Sequence, residues 1–254
     1  MGRILIMALM TVTIAALTAV IWRQHPTVDG TGHFSHRLAL SPDGQYLFIT
    51  SGERQKMQPA QDPGSDLGKI IRMNPDGTDA QHWTLGHRNP LGIAFDAAGN
   101  LWSSEMGPQG GDELNLIQPG LNYGWPNASN GIHYNGKDIP DHAEGDGYEP
   151  PKVYWDPSIS PGSLMIYSGD LFPNWQGDAF LGDQFKFFAQ GREARRRGLR
   201  GEEFTRVRLE SQHGGLQSAA GGMRDDATEQ GAMAEVHTVE IADGEHGRSG
   251  RRSL

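Results

Sequence analysis

The chain has 254 residues, enough for one large domain or two small ones. A net charge of −9 excludes a general nucleic-acid binder, which needs a surplus of Lys and Arg, and the absence of Cys excludes disulfides and thiolate metal sites. Thirty-five Gly and 15 Pro favour short strands joined by turns over long helices.

Residues 1–22 open with a charged Arg3 and a mostly apolar run to Trp22. This pattern predicts an export signal with residues 15–19 as the cleavage region, hence a periplasmic or secreted protein. Its length lies at the low edge for a membrane span, so no stable span is expected after processing. The same run also suits a buried strand or helix.

The polar knot TGHFSHR, residues 31–37, gathers His33, His36 and Arg37 just before a strand. Taken singly it reads as a loop. LALSPDGQYLFITSGE (38–53) and IAFDAAGNLWSSEMG (93–107) then share one design: an apolar strand, a tight turn with Asp and Gly, and a strand alternating apolar with small polar residues. Asp supplies local side-chain hydrogen bonds and Gly supplies positive φ, so these turns have a mechanism. IIRMNPDGT (70–78) adds another strand and turn of this kind. Recurrence after roughly fifty residues suits the blades of a β-propeller, with a sandwich as the open alternative.

Three further stretches carry polar residues at strand ends: GERQKMQPAQD (52–62), LGHRNPLGIAF (85–95) and EMGPQGGDELNLIQPGLNYGWPN (105–127). Asn89-Pro90 alone reads as a turn and Arg88 as a solvated charge. Asp112-Glu113 beside glycines is more often a surface loop than a calcium site, although calcium takes carboxylate and backbone oxygens readily.

From Gly191 on, every Lys/Arg position is Arg, and Arg and acid alternate without apolar periodicity. Such a segment buries too little apolar area to offset chain entropy and reads as a disordered tail, or as the product of a reading-frame change. The chain thus divides into 1–22, 23–190 and 191–254.

In order, HFSHRLALSPDG, GKIIRMNPDGT, GHRNPLGIAF, GPQGGDELNLI and NYGWPN resemble the glucose/sorbosone dehydrogenase family, soluble quinoproteins that use pyrroloquinoline quinone (PQQ). The resemblance covers residues 20–187. It implies an all-β, six-bladed propeller, here an incomplete arc of about three to four blades, because sequence matching the first and last blades is missing. It further implies oxidation of an aldose hydroxyl, with PQQ and Ca²⁺ as cofactors and an external electron acceptor. His33 matches the family's general base, while His36 stands where the family more often has Gly. Glu53 takes the place of a family Asp. Arg88 and Asn89 match the cofactor-contacting pair, and Gln58 and Lys186 resemble a glutamine and a lysine at the quinone. Gly107 and Pro108 match backbone-carbonyl ligands of the PQQ-bound calcium, and Glu113 and Tyr123 a second, structural calcium position. Two other readings stay open: a calcium-binding interaction module, and a metal-dependent sugar lactonase.

Overall fold

The computed structural model describes residues 20–183, 204–209, 236–240 and 247–249. Apart from two 3-10 turns, Gln58–Gln61 and Pro173–Trp175, all regular structure among the described residues is β.

The first sheet is an antiparallel meander of β1 (Ser35–Leu40), β2 (Leu47–Ser51), β3 (Lys69–Met73) and β4 (Gln81–Leu85). Its turns work as the sequence implies. Asp43 accepts from Ser41 Oγ and from the Gln45 N–H, Asp76 accepts from the Thr78 N–H, and Gly44 and Gly77 take φ of 69° and 89°.

The second sheet begins with β5 (Pro90–Phe95) and β6 (Leu101–Glu105). The next segment, β7 (Gln109–Gly110), leaves the sheet to pair with β9 (Gly131–Ile132), while β8 (Asp112–Ile117) and β10 (Val153–Trp155) continue it. The third sheet contains β11 (Pro161–Ile166), β12 (Ala179–Asp183), β13 (Phe204–Arg208) and β14 (Val236–Glu240), and β15 (Gly247–Ser249) pairs in parallel with β10.

The opening strands β1, β5 and β11 lie side by side, making an arc of three propeller blades. Arg37 on β1 spans all three: its Nε donates to Leu91 O at 2.8 Å and its terminal nitrogen to Gly162 O at 2.9 Å. Gly92 lets β5 and β11 approach, because a Cβ there would sit 2.4 Å from that of Leu164. Beyond this arc, Leu38 and Leu40 of β1 remain 62% and 58% exposed.

Although LWSSE mixes apolar with small polar residues, every residue of β6 is buried. Sheets stand on both of its faces, so its serines pack against main chain: Ser103 Oγ donates to Gly92 O at 3.0 Å. Phe48 and Ile70 meet Ile93, Leu101 and Ile117 between the first and second sheets. Trp102, Leu114 and Trp155 meet Ala179, Leu181 and Val207 between the second and third.

β13 comes from within 191–254. There Val207 is buried and Arg206 Nε donates to buried Asp178 at 2.5 Å. The rest of that segment, apart from Leu209, β14 and β15, lies outside the described residues, as do residues 1–19 of the expected leader. No helix among the described residues is long and apolar enough to cross a membrane.

Candidate active site

Propeller topology gathers the start of each opening strand and the end of its neighbour at one end of the arc. His33, Glu53, Arg88, Asn89 and Glu105 all fall there, opposite the Asp-Gly turns of β1–β2 and β5–β6.

His33 Nδ1 bonds the carboxylate of Glu53, whose side chain is fully buried. The Met57 N–H donates to the other carboxylate oxygen. Burial works against ionising Glu53, but the His33 bond, the Met57 N–H and the nearby charges of His33 and Arg88 outweigh it, holding its pKa below the ordinary value. An ionised carboxylate only accepts hydrogen bonds, so Nδ1 carries the proton that faces Glu53, which leaves Nε2 as the ring nitrogen available to a substrate.

The neighbouring strand ends adjoin this pair directly. The Glu53 N–H donates to Arg88 O at 3.0 Å, and Ser35 Oγ donates to Asn89 Oδ1 at 3.0 Å. Glu105, at the end of β6, organises the next layer. One oxygen accepts the N–H groups of Arg88 and Asn89, and the other accepts His87 Nδ1 at 3.0 Å. His87 is fixed further by Thr84 Oγ at 2.8 Å and by stacking on Tyr123 at 4.8 Å.

Arg88 is buried, with its guanidinium 5.2 Å over the Trp125 ring. One terminal nitrogen donates to Met106 O at 2.8 Å and Gly107 O at 2.5 Å, whereas its buried Nε has no partner among the described residues. The Gly107 carbonyl is therefore shared with Arg88. Asp112 fixes that loop by accepting the Gly107 N–H at 2.8 Å and the Ser160 N–H at 2.7 Å. Burial pushes the Asp112 pKa up despite these bonds.

β-register sets Glu105 opposite Glu113 on adjacent strands, a placement that repels like charges. Burial first, and then the Glu105 charge, push the Glu113 pKa up to about 8. A cavity of about 10 Å³, room for one water or ion, is lined by both glutamates with Arg88, Gly107, Pro108 and Tyr123. Asn115 donates to Glu113 at 3.1 Å, but its own buried Oδ1 is unpartnered among the described residues. Two carboxylates around so small a space fit a hard cation, although the Arg88 guanidinium already supplies one positive charge there. The Tyr123 hydroxyl is already committed, donating to Leu116 O at 2.6 Å and accepting the Gln118 N–H at 2.9 Å.

The structure thus brings His33, Arg88, Asn89, Gly107, Pro108, Glu113 and Tyr123 into one connected region. Gln58 is exposed on the 3-10 turn. That turn is held by buried Lys69, which donates to Pro59 O, Ala60 O and Leu67 O. Burial pushes the Lys69 pKa down to about 8, against the opposing pull of Asp62 and Asp66. Gln61 joins the turn to Asn122 and to Trp125 O. His36 turns elsewhere, its Nε2 3.2 Å from Gln24 Oε1 and 3.1 Å from a terminal nitrogen of Arg54. Lys186 lies outside the described residues. Sequence reading missed Glu105, whose only signal was an ionisable residue at the end of a strand destined for burial.

The profile of the Glucose / Sorbosone dehydrogenase family matches residues 4–186. The chain is 40% identical over 179 residues to aldose sugar dehydrogenase YliI of Escherichia coli K12, covering 64% of this chain and 48% of that protein. It is 38% identical over 127 residues to quinoprotein glucose dehydrogenase B of Acinetobacter calcoaceticus, covering 38% of this chain and 26% of that one. Among solved structures, a glucose dehydrogenase aligns with TM-score 0.64 at 35% identity, covering 76% of this chain and 56% of its own. The apo-form of the soluble aldose sugar dehydrogenase from Escherichia coli aligns with TM-score 0.59 at 37% identity, covering 65% and 52%. The chain spans about half the length of the first curated relatives it matches. With the profile match spanning well over half of the chain, from before β1 through β12 and across every motif at the site, the chain belongs to the glucose / sorbosone dehydrogenase family.

Proposed function

We propose that this chain carries the base and much of the cofactor cradle of a PQQ- and calcium-dependent sugar dehydrogenase, acting on an aldose outside the cytoplasm. The observation that carries this reading is the His33–Glu53 pair at the strand-end face, in which a buried carboxylate fixes the imidazole through Nδ1. Oxidising a sugar hydroxyl requires removal of its O–H proton, and an imidazole so fixed is suited to accept it near neutral pH.

When bound, PQQ would supply the hydride acceptor and pass its electrons to an external acceptor, and calcium would supply Lewis-acid polarisation. The Arg88 guanidinium, with its Nε unpartnered among the described residues, has donor capacity left for an anionic cofactor oxygen, and Asn89 stands beside it. Gly107 and Pro108 would offer carbonyls to the cofactor calcium, with Arg88 releasing Gly107 as it turns to the cofactor. Glu113 would hold the structural calcium through its carboxylate, and Tyr123 would do so through its carbonyl, since its hydroxyl is occupied. Gln58 and Lys186 complete the proposed cofactor contacts.

Reconstitution with PQQ and Ca²⁺, followed by aldose-dependent dye reduction, tests the reading. Activity is expected, and His33→Ala should lower it about 10²- to 10⁴-fold, the range for loss of a general base. Full activity in a folded His33→Ala protein would defeat the catalytic assignment.

A further inference from the structure

Arg54 is only 4% exposed, yet its hydrogen bonds go to no carboxylate among the described residues. One terminal nitrogen donates to His33 O at 2.6 Å, Phe34 O at 2.9 Å and Gly52 O at 3.1 Å. The other bonds Gln24 Oε1 and meets His36 Nε2 at 3.1 Å, and the guanidinium lies 4.8 Å over the Phe34 ring. A buried cation is costly, so its bonding pattern indicates what it stabilises. Here that is the main chain of the segment carrying His33.

That segment needs holding. His33 has φ of 55°, in the left-handed region that an L-residue enters at a cost of about 1–2 kcal/mol. Its carbonyl also presses on Gly52 so closely that a Cβ there would lie 2.1 Å from the oxygen. Released from Arg54, the peptide would relax toward extended backbone and swing the imidazole off Glu53.

We propose that Arg54 is the positioning residue for His33, clamping its carbonyl so that Nδ1 meets Glu53 and Nε2 faces the site. This rests on the reading of His33 as the base, and it adds the group that sets that base's geometry. Arg54 does not touch the reacting atoms.

The test is ¹⁵N NMR of histidine-labelled protein, read without cofactor or turnover. Wild type should show His33 as one tautomer, protonated on Nδ1. Arg54→Met and Arg54→Gln, in folded protein, should move both ring nitrogens toward the averaged shifts of an exchanging imidazole and raise the Glu53 carboxyl titration midpoint. In reconstituted enzyme, kcat should fall about 10²-fold, as for a misplaced catalytic group, with KM little changed. A folded Arg54 variant with wild-type tautomer and Glu53 midpoint overturns the proposal. Should neither variant fold, the wild-type Arg54 signals decide: slowly exchanging, separately resolved guanidinium protons coupled across hydrogen bonds to the His33 carbonyl support it, and freely rotating ones refute it. If wild-type His33 itself averages between tautomers, the underlying dyad fails, a result distinct from failure of the clamp.

Discussion

Glu53 and Glu113 are both buried, and both lie at the same end of neighbouring blades, yet their acidities diverge. Glu53 sits below the ordinary carboxylate range and Glu113 rises to about 8. Burial raises both. The difference is in what else faces each carboxylate: Glu53 meets an imidazole N–H and a backbone N–H, whereas Glu113 meets Glu105 across the sheet with one amide set against it, and the Arg88 charge favours both anions. One carboxylate is thus completed by the protein itself as an anion. The other is left short of positive charge, and a cation would complete it.

The largest expected effect comes from removing the first half of that contrast. Glu53→Gln keeps the shape but can present an amide N–H to His33, which frees the ring to adopt the other tautomer. Aldose-dependent dye reduction by the reconstituted protein should fall about 10²-fold, with the thermal transition retained. Unchanged turnover in the folded variant would show that the pair does not orient the base.

The second half is read from stability against pH. Because the folded Glu113 pKa is raised from 4.5 to about 8, the unfolded chain loses this proton first. Stability from this group is therefore complete below about pH 4.5 and declines as pH rises to about 8, by on the order of a few kcal/mol. Glu53 runs oppositely: its contribution is present above its unfolded value and is lost as pH falls through its depressed folded one. Chemical denaturation across pH 4–9 should show the alkaline decline in metal-free protein and lose it in Glu113→Gln. Calcium at a hundred times its Kd should restore about 2.7 kcal/mol at pH 8. A flat profile in metal-free wild type would remove the case for a cation at Glu113.

The contrast also marks how far the sequence could be read. The Asp-Gly turns and the strands beside them were legible because their chemistry is local. His33 was legible only through its flanking motif, since a polar loop and a catalytic loop share composition. The Glu105–Glu113 pairing was not legible: β7 leaves the sheet to pair with β9, so register cannot be counted through 106–111. Arg54 was hidden for another reason, because it acts on carbonyls, which every residue carries. The small polar serines of β6 are buried because a second blade covers them, a fact of assembly rather than of strand pattern.

The smallest expected effect separates these local causes from the arrangement of the blades. Arg37 touches neither glutamate, and its guanidinium ties β1 to Leu91 O on β5 and Gly162 O on β11. Because Arg37 is exposed, water recovers part of what the bonds supply, and Arg37→Met should cost about 1 kcal/mol, a fall in Tm of about 2–4 °C. If Glu53 and Glu113 owe their acidities to immediate partners, both carboxyl titrations should stay where they are in Arg37→Met while Tm falls. Movement of either midpoint would mean that blade spacing, and not the contacts within each strand-end cluster, sets that carboxylate's charge.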